Sequence, residues 1–96
     1  MIYKLILKRR AEIELEDAIE WYNSLSKGLG FRFLNSVRSE INYIQKFPKH
    51  FQISKNTFRQ APIQRFPFII VYEIENNTII VYSIFNTNQN PIKKPG

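Results

Sequence analysis

Two segments late in the chain, Phe68 to Ile74 and Thr78 to Ile84, are so rich in Ile, Val, Tyr and Phe that each reads as a strand. Asn76-Asn77 between them is turn-forming and closes the pair into a hairpin. A two-stranded hairpin is marginal by itself in water, so its apolar face needs more strands or a cover. The first half of the chain supplies that cover. Ala11, Leu15, Ala18, Tyr22 and Leu25 recur by three and four along one stripe, with Glu12, Glu14, Glu16, Asp17 and Glu20 mostly off it. Acids early in such a segment suit a helix N-terminus, because they oppose the partial positive charge of its free amides. A second helix is predicted from Leu29 to Lys46, with Phe33, Val37, Ile41 and Ile44 on one stripe, and Pro48 stops it. The short Asn23 to Gly28 connection predicts an antiparallel helical hairpin.

Ile2 to Leu7 alternates weakly and reads as a first strand, and an edge strand is expected around Thr57 to Ala61. The order β-α-α-β-β-β predicts an α+β fold, with the helical hairpin packed on one face of a small, mostly antiparallel sheet. A 96-residue chain closes one hydrophobic core. Residues 1–91 are therefore expected to form a single domain, and 92–96 a flexible tail.

Composition narrows the chemistry. An apolar share of 44% argues against disorder, and the absence of cysteine removes disulfides and thiolate sites. His50 is the only imidazole, so neither a metal nor a cofactor is expected. The apolar run at Ile2 to Leu7 precedes Lys8-Arg9-Arg10, the reverse of a secretory signal, and no segment is long enough to span a bilayer. A cytoplasmic protein without a membrane partner is expected.

The net charge of +6 is unevenly distributed. Five of the eight acids fall between Glu12 and Glu20. No acid lies between Glu40 and Glu73, where Lys46, Lys49, Lys55, Arg59 and Arg65 occur. Such a basic face favours a polyanion or an acidic protein partner.

Arg59 and Arg65 flank Pro62, and guanidinium groups there suit a phosphate clamp; the competing reading is a solvated sheet edge or pairing with the first helix's acids. Tyr72 and Tyr82 are expected as half-buried packing residues with wet hydroxyls, although Tyr82 could also donate a phenol proton. Trp21 and Tyr22 are assigned to packing, with Trp21 a possible partner contact. Lys8, Arg9, Arg10, Lys93 and Lys94 are candidate phosphate contacts or simply solvated charges. His50 reads as structural or as a proton shuttle. Asn86, Asn88, Gln89 and Asn90 donate and accept hydrogen bonds but do not titrate, so they suit recognition better than acid-base catalysis. No nucleophile elbow, phosphate-cradling glycine loop or metal motif is present.

Several stretches in series resemble the RelE/ParE superfamily of bacterial type II toxin-antitoxin toxins, the plasmid-stabilisation proteins. They are the acidic helix ending in Trp21-Tyr22, Gly28-Leu29-Gly30-Phe31-Arg32-Phe33, Phe47-Pro48 and Phe58-Arg59-Gln60-Ala61. Arg65-Phe66-Pro67-Phe68-Ile69-Ile70-Val71-Tyr72 and Ile84-Phe85-Asn86-Thr87-Asn88-Gln89-Asn90-Pro91 complete the series. The resemblance runs from Tyr3 to about Pro91. It implies a small growth-inhibiting toxin neutralised by a cognate antitoxin, as a homodimer or a toxin-antitoxin hetero-oligomer. RelE-type members cut mRNA on the ribosome, and ParE-type members poison DNA gyrase. Arg59 and Arg65 match basic positions of the family, while Asn86 and Gln89 stand where many similar members have His and Arg. Metal-free RNA cleavage needs a base and positive charge, which these amides do not supply. The expected function is therefore ParE-like binding of a macromolecular target such as gyrase. The alternatives are a ribosome-dependent, metal-independent mRNA endonuclease using Arg59, Arg65 and Tyr82, and a degenerate, non-toxic member that binds only antitoxin.

Overall fold

A computed structural model describes residues 3–89 and Lys94. Strand β1 (Lys4–Leu7) leads into helices α1 (Arg9–Leu25) and α2 (Leu29–Lys46). Four strands follow: β2 (Ile53–Lys55), β3 (Phe58–Pro62), β4 (Phe68–Glu75) and β5 (Thr78–Asn86). They form one sheet in the order β1-β5-β4-β3-β2. The α+β architecture is as expected, with every pairing antiparallel except β1 with β5.

The stretch before Pro62 departs in detail from the sequence reading. It makes two short strands, and β3 lies inside the sheet with β2 as the edge. Asn56 turns between them at φ 54, a left-handed conformation that asparagine tolerates better than most residues. Asn76 makes the same move at φ 55 in the β4–β5 turn. Of the expected first strand, Ile2 lies outside the described residues. Among those described, no helix is long and apolar enough to cross a membrane.

Side chains alternate between the two faces of a strand, and directly paired residues share a face. Phe68, Ile70 and Tyr72 of β4 therefore face the helices and join Phe33, Val37 and Ile44 of α2 in the core. Ile69, Val71 and Glu73 face the other way. Each large side chain buried in this core contributes about 1.5–3 kcal/mol.

The alternation breaks once. Val71 pairs with Ser83 but Tyr72 pairs with Val81, so Tyr82 is an extra residue in β5. This bulge lets Ile79 and Val81 on one side of it and Ile84 on the other all reach the core.

The helical hairpin depends on two glycines for different reasons. Gly28 takes φ 83 before α2, a conformation that a side chain would strain. Gly30 gives α1 and α2 their close approach: a Cβ there would lie 2.5 Å from the Ile19 carbonyl oxygen. Its N–H also donates to Asn23 Oδ1 at 2.8 Å, which holds the hairpin tip. The sequence stripe of α1 is only partly realised, because Ala11 and Ala18 are buried whereas Leu25 is 58% exposed.

Candidate functional site

Arg59, Arg65 and Tyr82, the candidates of the endonuclease alternative, are not brought together. Arg59 pairs with Tyr72 across β3 and β4 and so shares its helix-side face. Its Nη1 donates to the Phe51 carbonyl at 2.6 Å, so it is neither a solvated edge residue nor a partner of α1's acids. Tyr82 lies on the opposite face, where its hydroxyl donates to Glu73 Oε1 at 2.6 Å and its ring meets Phe58 edge-on. Arg65 is in neither place. It sits exposed in the β3–β4 loop at φ 70 and lines an open cavity beside α2.

Each tether changes local titration or packing. The Tyr82–Glu73 hydrogen bond favours the protonated phenol and the ionised carboxylate together, and Tyr82 is pushed up to about 12 by that bond and then by burial. Glu73 accepts from Thr57 as well, and the two bonds hold its carboxyl below the usual range. Tyr72 corrects the expectation of a wet hydroxyl. It is fully buried, donates to the Pro48 carbonyl at 2.7 Å, and burial pushes it up to about 12 despite the nearby Arg59 cation. Arg59 and Tyr72 thus fasten the segment after α2 to the sheet.

The amides at the end of β5 fold onto themselves and face acids. Asn86 Oδ1 accepts the Asn88 N–H at 2.8 Å, and the Asn86 carbonyl accepts from Gln89 N–H at 3.0 Å. Asn86 and Gln89 line a cavity of ≈ 200 Å³ together with Glu14, Asp17, Trp21 and Phe68. Trp21, assigned to packing from sequence, is 60% exposed at its mouth. Tyr22 does pack, against Phe33, Phe66 and Phe68.

The basic cluster after β1 is divided. Lys8 Nζ sits 5.9 Å from the Tyr82 ring centroid, Arg9 reaches Glu12 at 3.9 Å, and Arg10 reaches Glu14 at 3.3 Å. Lys94 is partly exposed, and Lys93, Asn90 and most of the expected tail lie outside the described residues. His50 joins an aromatic group, its Nδ1 3.1 Å from the Tyr43 hydroxyl and its ring edge-on to Tyr43 and Phe51. Among the described residues no cluster of His, Cys, Asp or Glu is arranged to hold a metal ion.

Sequence reading missed Glu14 and Ser83. The Ser83 hydroxyl, fully buried, donates to Glu14 Oε1 at 2.7 Å, and the Ile84 N–H donates to the same oxygen at 3.1 Å. Glu14 thereby ties α1 to β5 beside the bulge, with Arg10 on its other oxygen. The only signal in the sequence was a polar serine inside an apolar strand.

Residues 5–91 match the family described as the ParE toxin of the type II toxin-antitoxin system parDE. No curated protein sequence matches significantly. A solved structure described as the chromosomal ParDE TA system from P. aeruginosa is similar, with a TM-score of 0.79 and 16% identity. The likeness covers 88% of this chain and 96% of that one, and speaks for the fold. With the family matched from β1 to beyond β5, this chain belongs to the ParE toxin family of type II toxin-antitoxin systems.

Proposed function

We propose that this protein is the toxin of a type II pair, that it arrests growth by binding a macromolecular target such as DNA gyrase, and that a cognate antitoxin neutralises it. One observation carries the preference for binding over cleavage. Arg59 and Tyr82 lie on opposite faces of the sheet, each engaged with its own acceptor. A phosphodiester would have to be held, deprotonated and charge-stabilised at one point. Asn86 and Gln89 add no titrating group and face Glu14 and Asp17 rather than the arginines. Membership of the ParE family supports the same reading.

Induced expression without a partner is expected to stop growth. Purified protein should inhibit gyrase supercoiling, and a cognate antitoxin, co-expressed or added, should relieve both effects. Codon-phased cuts in mRNA by primer extension, with gyrase unaffected, would replace this reading with the endonuclease. Normal growth at confirmed soluble levels would leave a non-toxic, antitoxin-binding member.

A further inference from the structure

Four cavities along α2 run into one another. The largest, ≈ 430 Å³, shares Asn35, Ser36 and Arg65 with a neighbour that adds Arg32. On its other side it shares Glu40, Tyr43 and Gln64 with a cavity that adds His50 and Phe51. Tyr43 and His50 continue into a fourth, which adds Lys46 and Lys49. The first three make one open furrow between α2 and the β3–β4 loop, and the fourth adjoins its end at Tyr43 and His50, beside Tyr3 and the segment after α2. Arg32, Ser36, Glu40 and Tyr43 lie along its helical wall at spacings of three and four, and Arg32 to Tyr43 spans about 16 Å at 1.5 Å per residue.

The two ends of the furrow offer different chemistry. Among the described residues the guanidinium groups of Arg32, Arg38 and Arg65 have neither an ion pair nor a hydrogen bond, whereas those of Arg9, Arg10 and Arg59 are engaged; of the three, Arg32 and Arg65 line the furrow and Arg38 does not. Arg65 is also held at φ 70, in the left-handed region that a non-glycine residue seldom adopts. Hydrogen bonds from Ile63 N–H to the Phe68 carbonyl and from Phe68 N–H to the Phe66 carbonyl fix the loop that presents it. At the far end, Tyr43 and His50 expose aromatic surface beside Lys46 and Lys49.

Between these ends the wall is polar, formed by Asn35, Ser36, Ser39 and Gln64. A partner helix would find little apolar surface to bury there. Glu40 is the acid within it, and burial pushes its carboxyl upward, against a smaller opposing effect of His50. Paired guanidinium groups suit phosphate, and aromatic faces flanked by cations suit a base.

We propose that this furrow binds an extended nucleotide, a nucleoside triphosphate or a short single strand, with phosphate between Arg32 and Arg65 and a base against Tyr43 and His50. A free nucleotide and a single strand share this chemistry, and the inference does not rest on the toxin reading.

The test is fluorescence anisotropy on the purified full chain with three probes: a labelled single-stranded oligonucleotide, a fluorescent ATP analogue and a labelled poly-glutamate peptide. Arg32→Ala with Arg65→Gly should weaken nucleotide binding at least about tenfold. The glycine accepts the loop's φ, so an unchanged melting temperature separates lost contacts from lost fold. For a single strand, removing two phosphate contacts should flatten the log-log salt dependence by about 1.4. Tyr43→Ala should cost at least about fivefold. Lys4→Ala, which removes one charge from the β1 edge, is the control and should leave affinity nearly unchanged. Binding of the ATP analogue alone assigns a free nucleotide, and binding of the oligonucleotide assigns a strand. The proposal is overturned if neither nucleotide probe binds, if the furrow variants lose no more than Lys4→Ala, or if poly-glutamate binds as tightly and is lost with the same substitutions.

Discussion

On the sheet, Arg59, Tyr72, Tyr82 and Ser83 each donate to a carbonyl or carboxylate at 2.6 or 2.7 Å, while along α2 the guanidinium groups of Arg32 and Arg65 face an open furrow. The residue types overlap between the two regions. What differs is whether folding has already consumed their hydrogen-bonding capacity. A buried donor must find a partner within the chain, so polar groups on a covered sheet are drawn into structure. An exposed cation beside a loop is under no such demand. Arginine and tyrosine therefore mark architecture in one region and leave ligand chemistry available in the other.

The strongest way to break this contrast is to remove a partner on the sheet. Glu14→Ala would leave the buried Ser83 hydroxyl and the Ile84 N–H without their common acceptor. The expected loss is about 2–3 kcal/mol, read from the urea midpoint. Glu14→Gln, which keeps an acceptor oxygen, should recover part of it. A loss below about 0.5 kcal/mol would show that water replaces the carboxylate, and the division between consumed and available groups would fail at its best-connected point.

That network also shows how far the sequence was legible. Helix α2 was readable at both ends, because Phe33, Val37 and Ile44 keep helical spacing and Pro48 marks the stop. The hairpin was readable because Asn76-Asn77 separates two β-rich runs. The bulge was not, since Ile79 to Phe85 is apolar at nearly every position and a change of face leaves no trace in such a run. Arg59 and Tyr82 look compatible with one site in the sequence, which gives their order but not the face each occupies. Nothing in the local sequence around Arg32 says that a loop more than thirty residues later will place Arg65 in the same cavity.

A smaller effect is expected from Tyr72→Phe, which keeps the ring in the core and deletes one bond. The Pro48 carbonyl then loses its donor in a buried setting, at a cost of about 1–2 kcal/mol in chemical denaturation. Because Tyr72 serves the fold, the substitution should leave nucleotide binding by the furrow unchanged in the folded protein. A large change in that affinity would mean that the segment after α2 couples the sheet to the furrow.

The smallest and most discriminating effect belongs to Tyr82→Phe, read through Glu73. The Glu73 carboxylate accepts from Thr57 and Tyr82, and both bonds favour its charged form. Its folded pKa lies below the unfolded value, so its contribution to stability is present above that unfolded value and is lost as pH falls through the folded one. Deleting the Tyr82 hydroxyl should raise the Glu73 pKa toward the ordinary range, with Thr57 still holding it down, and flatten the acid-side dependence of stability. Carboxyl-detected NMR titration measures the shift directly. A raised pKa means that the phenol is already committed to its neighbour. An unchanged one would return Tyr82 to the set of groups free to meet a target, on the face of the sheet opposite Arg59.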